Sequence, residues 1–278
     1  MQNYSKLDQP ALLSSIFHAN NCERTPLPKG ATDVDIETEP GVIIGCRFYI
    51  NDSESPNILF FHGNGEIVAD YDEIGQIYNQ AGMNLLVTDY RGYGWSSGSP
   101  TVTSMLTDAE VLFQETRNWL KSNKHSGALL FMGRSLGSVP AIDLTIRHEA
   151  DIKGLIIESG IADTIPLVKT LGIDVEGVDF TEEDGFNNLK KIESITIATF
   201  VFHGSRDEII TASEAEKLQS HCGARSKEFV VIPGATHNSM ISTGGKLYFQ
   251  TIKQFIDKVT GINNWRKRRK KTNSYSGE

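Results

Sequence analysis

The 278-residue chain has only three cysteines and no apolar run close to the roughly 20 residues that cross a bilayer. Cys22, Cys46 and Cys222 are an odd number at irregular spacing, so they predict neither a disulfide framework nor a Cys-x-x-Cys metal site. The N-terminus lacks the basic and then apolar stretch of a secretory signal. We therefore expect a globular protein of the reducing cytoplasm.

Ligand motifs are also missing. The chain contains no G-x-x-x-x-G-K-[ST] phosphate loop, and no group of His, Cys and carboxylate residues has metal-ligand spacing. A dinucleotide fingerprint starting at Gly92 fails, because its third glycine position holds Ser97. The sequence therefore predicts no cofactor and no metal.

Positive charge is concentrated at one place in an otherwise acidic chain. The net charge is −8, yet six basic residues are consecutive near the C-terminus: Arg266, Lys267, Arg268, Arg269, Lys270 and Lys271. The acidic remainder disfavours a specific nucleic-acid partner. Adjacent like charges cannot pack in a core, so we expect the basic run to be exposed.

Short apolar runs alternate with helical patterns over most of the chain. Runs that are apolar on both faces are typical of buried parallel strands, which helices then cover. Nearer the N-terminus, the turn signal Pro40-Gly41 lies between two strand patterns, at 34–38 and 42–50. This arrangement predicts an antiparallel hairpin at a sheet edge. The predicted parallel strands are 58–61, 85–88, 129–132, 155–157, 198–202 and 229–232, and the longer helices are 67–80, 102–124, 136–149, 211–221 and 241–258.

A single α/β domain at 34–262 is the simplest organisation, because no repeat or linker interrupts this pattern. Residues 1–33 form an N-terminal extension with one short amphipathic helix, and 263–278 form a basic tail. Residues 160–190 contain more acidic and loop-forming residues than one crossover requires. We expect a small cap there, over the carboxyl edge of the sheet.

The segment G-R-S-L-G at 133–137 is the most informative in the chain. It lies between an apolar run and a helical pattern, which predicts a sharp strand-to-helix turn that projects the hydroxyl of Ser135. Gly133 and Gly137 are required, because side chains there would collide where strand and helix almost touch. The alternative is an ordinary turn that happens to contain a serine.

Two further candidates follow later strands, at the sheet edge where α/β proteins bind ligands. Asp207 lies in H-G-S-R-D-E-I-I and His237 in G-A-T-H-N. A serine nucleophile requires a neutral imidazole as base, and the imidazole requires an acid that fixes its tautomer. The order Ser135, Asp207, His237 therefore predicts a catalytic triad.

The sequence contains other acids and histidines near the predicted strand ends. Glu158 and Asp163 are alternative acids, because they follow the strand at 155–157. The glycine-rich turn F-H-G-N-G at 61–65 predicts an oxyanion hole made by the backbone N–H groups of Asn64 and Leu136. His62 is better explained as a hydrogen-bonded structural histidine, and no role is assigned to His18, His125, His148, His203 and His221.

These motifs, together with D-Y-R-G-Y-G-W-S-S-G at 89–98, resemble the α/β-hydrolase superfamily over about residues 40–260. The chain looks closest to membrane-associated α/β-hydrolase-domain proteins that remove palmitate from cysteines, and to bacterial hydrolases. The resemblance implies a mostly parallel eight-stranded sheet with helices on both faces, and hydrolysis through an acyl-serine intermediate. The depalmitoylating members carry an N-terminal cysteine cluster, whereas residues 1–21 contain no cysteine.

The functional prediction is a serine hydrolase that cleaves a small-molecule carboxylic ester or thioester. One alternative is a serine aminopeptidase, in which Glu182, Glu183 and Asp184 attract a substrate amine; this acidic run is otherwise a solvated loop. Another alternative is a non-catalytic binding protein of the same fold.

The basic run predicts weak, salt-sensitive binding to anionic membranes. Each Lys or Arg near an anionic bilayer contributes about 1 kcal/mol, and Trp265 suits the headgroup depth. The full chain should co-sediment with anionic but not neutral vesicles, and a chain ending at Asn264 should not. Equal binding by both would leave the tail as a solvated segment or a non-specific nucleic-acid contact.

Overall fold

An eight-stranded β-sheet forms the centre of the structure, a computed structural model that describes residues 3–173 and 180–261. The strands are β1 (Ala31–Glu39), β2 (Val42–Tyr49), β3 (Asn57–Phe61), β4 (Asn84–Thr88), β5 (Leu129–Arg134), β6 (Leu155–Glu158), β7 (Thr199–Gly204) and β8 (Lys227–Ile232). Their order is β1-β2-β4-β3-β5-β6-β7-β8. The pairs β1–β2 and β2–β4 are antiparallel and the others parallel, which confirms the predicted fold class.

Helices cover both faces of this sheet. Within the described residues they are α1 (Pro10–Ile16), α2 (Asp72–Gln80), α3 (Val102–Ser122), α4 (Ser138–His148), α5 (Thr164–Thr170), α6 (Asn188–Glu193), α7 (Ala212–His221) and α8 (Met240–Val259). One buried cluster joins the sheet to α3, α4 and α7, and a second joins the opposite face to α2 and α8.

The central strands contain continuous apolar runs, such as 58–61 of β3, because both of their faces are buried. In β3, Leu59 and Phe61 belong to the cluster beneath α3 and α4, whereas Ile58 and Phe60 belong to the cluster beneath α2 and α8. Successive side chains of a strand point to opposite faces, so a strand between two helical layers shows no polar alternation. This burial explains why the sequence revealed these strands as continuous runs.

Several strands and helices begin or end at residues other than those predicted from the sequence. Strand β1 begins at Ala31, inside the segment treated as an N-terminal extension, and β7 continues through His203 to Gly204. The helix predicted at 67–80 begins as a 3₁₀ turn (Val68–Tyr71), and α8 is kinked at Gly245.

None of the described helices is long and apolar enough to cross a membrane. The basic run at 266–271 and the tail at 263–278 lie outside the described residues.

The N-terminal segment packs into the core of the domain. Leu7, Leu12, Ile16 and Phe17 are buried in the cluster beneath α3 and α4. Asp8 accepts a hydrogen bond from the backbone N–H of Val102 (2.7 Å) at the start of α3, where a carboxylate satisfies a free helix donor.

The segment predicted as a cap contains α5, a 3₁₀ turn (Glu182–Asp184) and the start of α6. Residues 174–179 lie outside the described part. The acidic run has structural partners, because the Glu182 carboxylate accepts hydrogen bonds from the backbone N–H groups of Thr164 and Ile165 at the start of α5. Asp184 forms an ion pair with Lys6 (3.0 Å), which joins the segment predicted as a cap to the N-terminal segment.

Candidate active site

The turn after β5 has the sharp strand-to-helix geometry expected of a nucleophile elbow. Strand β5 ends at Arg134, a 3₁₀ turn spans Ser135–Gly137, and α4 follows directly. Ser135 has a φ of 52°, in the left-handed region that a residue with a side chain rarely adopts. Such strain is maintained only where the surrounding structure enforces it, and it is concentrated at functional sites.

The glycines of the motif are required by close backbone contacts. A Cβ atom on Gly133 would lie 2.2 Å from the carbonyl oxygen of Gly137, and one on Gly137 would lie 2.0 Å from that of Phe61. Both distances are far below van der Waals contact, which confirms the steric role predicted from the motif. The elbow is therefore held between α4 and β3.

Ser135, His237 and Asp207 form a chain of hydrogen bonds at the carboxyl edge of the sheet. His237 Nε2 lies 3.0 Å from Ser135 Oγ, and His237 Nδ1 lies 2.8 Å from Asp207 Oδ2. An ionised carboxylate only accepts hydrogen bonds, so Nδ1 carries the proton and Nε2 faces the serine hydroxyl as an acceptor. In this tautomer the imidazole can take a proton from Ser135.

Asp207 is held as a carboxylate by donors from its own loop and from two histidines. Its Oδ1 accepts hydrogen bonds from the backbone N–H groups of Ile209 (3.1 Å) and Ile210 (2.9 Å). Burial acts to raise the pKa of Asp207, but hydrogen bonds from His203 and His237 outweigh it and hold the pKa well below its ordinary value. Asp207 therefore presents a fixed negative charge to His237.

The contact with His203 was not predicted from the sequence. His203 Nε2 lies 2.7 Å from the Ile210 carbonyl oxygen and 3.2 Å from Asp207 Oδ2. Both partners accept, so Nε2 carries the proton; the buried Nδ1 has no hydrogen-bond partner within residues 3–173 and 180–261. The sequence feature that could have indicated this contact is the position of His203 at the end of a strand, four residues before Asp207.

The two alternative acids have other partners. Glu158 is fully buried, where its carboxylate contacts Arg134 Nε (3.2 Å) and accepts a hydrogen bond from the Tyr248 hydroxyl (2.7 Å). Asp163 forms an ion pair with Lys217 (2.7 Å). The carboxylate that accepts the hydrogen bond from His237 Nδ1 is therefore that of Asp207.

The predicted oxyanion donors flank Ser135 in one cavity. Asn64 and Leu136 line it together with the serine. In the described part of the chain, neither of their backbone N–H groups has a hydrogen-bond partner. The Asn64 side chain accepts hydrogen bonds from the backbone N–H of His18 and the Tyr93 hydroxyl, both at 2.7 Å. These bonds fasten the glycine-rich turn to its neighbours.

His62 has structural partners, as the sequence favoured. It is fully buried, with Nδ1 2.8 Å from the Gly63 carbonyl oxygen and Nε2 3.1 Å from Asp89 Oδ1. These bonds hold the turn after β3 against the loop after β4.

The cavity above Ser135 is small and has an apolar wall. Its volume is about 230 Å³, and the wall combines Ile16 of the N-terminal segment, Leu167 and Leu171 of the cap region, Ile161 and Ile209. A larger cavity of about 500 Å³, lined by residues of α3 and α4, contains none of the predicted site residues. The apolar wall suits the hydrocarbon part of a substrate.

The tight elbow predicts a large loss of stability for Gly137→Ala. Its Cβ would meet the Phe61 carbonyl oxygen, so the free energy of unfolding should fall by about 3 kcal/mol or more. Gly41→Ala is the matched control: it has a φ of 81° and no atom within 4 Å of the added Cβ, so only backbone strain of about 1 kcal/mol applies. Urea denaturation measures both, and similar losses would contradict the steric account.

Comparisons with known proteins agree with this architecture. Residues 53–172 match the family described as serine aminopeptidase, S33. The human α/β hydrolase domain-containing protein 17B is 33% identical over 232 residues, covering 79% of this chain and 73% of its own. Protein bem46 of Schizosaccharomyces pombe is 27% identical over 267 residues, covering 90% of this chain and 86% of its own.

Solved structures share the fold at low sequence identity. The Pyrococcus furiosus esterase Pf2001 has a TM-score of 0.70 at 19% identity, covering 86% of this chain and 98% of its own. A soluble variant of the Saccharomyces cerevisiae monoglyceride lipase has a TM-score of 0.65 at 18% identity, covering 85% of this chain and 97% of its own. By its sequence relatives and its fold, this chain belongs to the α/β-hydrolase family.

Proposed function

We propose that the protein is a serine hydrolase that cleaves a carboxylic ester or thioester through an acyl-serine intermediate. The observation that carries the proposal is the hydrogen-bonded chain from Ser135 Oγ to His237 (3.0 Å) and from His237 to Asp207 (2.8 Å). It supplies a nucleophile, a base in the required tautomer and a fixed negative charge behind that base.

The reaction follows from this arrangement. His237 Nε2 takes the hydroxyl proton as Ser135 Oγ attacks the carbonyl carbon, and Asp207 stabilises the imidazolium that forms. The backbone N–H groups of Asn64 and Leu136 hold the developing oxyanion. The oxyanion then collapses, the bond between the carbonyl carbon and the leaving group breaks, and His237 gives the proton to the leaving alcohol or thiol. Water attacks the acyl-serine with His237 again as base, the acyl–oxygen bond to Ser135 breaks, and His237 returns the proton to Ser135 Oγ as the carboxylic acid leaves.

The cavity favours an acyl group with a hydrocarbon chain. Its wall is built from aliphatic side chains, including Ile16, Leu167 and Ile209. Two of the structural neighbours are named as an esterase and a monoglyceride lipase, which supports ester cleavage for this chain. The same attack by Ser135 on a carbonyl carbon cleaves a thioester, so the proposal includes both classes of substrate.

A serine aminopeptidase is the alternative activity, and the description of the matching family favours it. It requires an acidic group free to bind a substrate amine. The candidates have structural partners instead, since Glu182 caps α5 and Asp184 pairs with Lys6. Release of p-nitroaniline from aminoacyl anilides, without turnover of p-nitrophenyl esters, would support the aminopeptidase.

Ser135→Ala should abolish both turnover and covalent labelling. Removing the nucleophile of a serine triad costs about 10⁶ in kcat. The wild type should react with a fluorophosphonate probe and hydrolyse p-nitrophenyl esters. Ser242→Ala is the control, because this serine is exposed near the His237 loop and its hydroxyl donates to the Ser239 carbonyl oxygen (3.3 Å) rather than to a residue of the triad. Equal labelling of the wild type and Ser135→Ala would exclude this serine as the nucleophile.

Asp207→Asn should lower kcat by about 10⁴, because an amide no longer fixes the imidazole tautomer. Asp163→Asn is the matched comparison, since Asp163 was the alternative acid and pairs with Lys217. It should keep kcat close to that of the wild type. The acid is wrongly assigned if Asp163→Asn shows the larger loss. If no ester is hydrolysed by the folded wild type, the non-catalytic binding protein is the better description.

A further inference from the structure

Arg134 lies immediately before the nucleophile and is buried. It is the last residue of β5 and the register partner of Glu158 on β6. Register partners in neighbouring strands point to the same face, so the guanidinium and the carboxylate meet beneath the carboxyl edge of the sheet. A buried arginine is stable only when its fixed fork of donors is satisfied.

The guanidinium contacts three different segments of the active site. Nη1 pairs with the Glu66 carboxylate, in the loop that carries Asn64. Nη2 donates to the backbone carbonyl oxygen of His237 (2.8 Å), and Nε lies 3.2 Å from Glu158. One side chain therefore joins the nucleophile strand to the loops that hold the oxyanion donor and the base.

Glu66 extends this contact to the oxyanion turn itself. Its Oε2 accepts hydrogen bonds from the backbone N–H of Gly63 (2.8 Å) and from the Tyr71 hydroxyl (2.7 Å). A Cβ atom on Gly63 would lie 2.5 Å from Arg134 Nη1, so the turn rests directly on the guanidinium. Asn64, the next residue, thus has its backbone placed by the Arg134–Glu66 pair.

Glu158 anchors the other end of the guanidinium. The Tyr248 hydroxyl donates to Glu158 (2.7 Å) and lies 3.4 Å from the Tyr78 hydroxyl. Burial raises the pKa of Glu158, while Arg134 and the Tyr248 hydroxyl oppose that rise. These contacts hold Arg134 in one orientation.

We propose that Arg134 is a positioning residue that sets the backbone N–H of Asn64 and the imidazole of His237 relative to Ser135 Oγ. The inference rests on the proposed serine-hydrolase function. The role needs three donors in a fixed plane, which a lysine ammonium does not supply. Arg134 also borders the cavity above Ser135, and in this proposal it acts through the loops that it fastens.

Arg134→Lys keeps the charge and loses the planar fork. We expect kcat to fall by about 10², the scale of losing one oxyanion donor, with KM changed by less than about threefold. The rate of each variant is expressed per active site, and active sites are counted by labelling the protein to completion with a fluorophosphonate probe. A trifluoromethyl ketone inhibitor, which forms a tetrahedral adduct on the serine, should lose affinity in proportion to kcat/KM.

Arg47→Lys is the matched control. Arg47 is also fully buried and paired with two carboxylates, Asp33 (2.7 Å) and Asp72 (3.0 Å), but it lies on β2 away from the site. Its replacement should lower Tm and leave kcat per labelled site unchanged. Turnover by the wild type and by Arg47→Lys also tests the proposed function separately, because both lack activity if that function is wrong.

The proposal is overturned if Arg134→Lys keeps wild-type kcat and inhibitor affinity per labelled site, or if only KM rises. If Arg134→Lys does not fold, the proposal is tested with Glu66→Gln by measuring kcat and inhibitor affinity per labelled site. It removes the charge that pairs with Arg134 and retains one oxygen for the Gly63 N–H. A lower kcat and a proportionally weaker inhibitor support the proposal, and unchanged values of both overturn it.

Discussion

The close approach of the β5–α4 turn to strand β3 is the constraint on which the site depends. The turn can pass the Phe61 carbonyl oxygen only because position 137 has no side chain. The resulting path places Ser135 in a left-handed conformation with its hydroxyl at the carboxyl edge of the sheet. Because the neighbouring strands are parallel, the loops that follow them lie at the same edge of the sheet. His237 and Asp207 lie in these loops, close to Ser135.

Buried charges link those loops to one another. Asp207, Glu158 and Arg134 are all buried, and a buried charge is stable only when it is paired or hydrogen-bonded. Their partners come from different segments: His203 and His237 for Asp207, and Arg134 for Glu158. The polar network therefore orders the loops and also joins His237 to Ser135 and Asp207.

The hydrogen-bonded residues and the wall of the cavity have different structural origins. Ser135, Asp207 and His237 follow strands of the sheet, whereas the apolar wall includes Ile16 from before the first strand and Leu167 of α5. Loops and added helices vary more readily than the sheet, so the shape of the cavity can change while the geometry of Ser135, His237 and Asp207 is kept. In this chain the N-terminal segment and α5 contribute to the apolar wall of the cavity.

The sequence by itself determined the layered fold, the elbow and the order of Ser135, Asp207 and His237, because local periodicity and strand-end motifs encode them. Strand ends were less well determined, so His203 was placed after β7 rather than in it. Only the tertiary structure decided the contacts of Arg134, the second histidine on Asp207 and the entry of Ile16 into the cavity wall. The contacts of Arg134 and Ile16 join residues far apart in the chain, whereas His203 is only four residues from Asp207. In each case neither periodicity nor motif spacing records which side chains will meet.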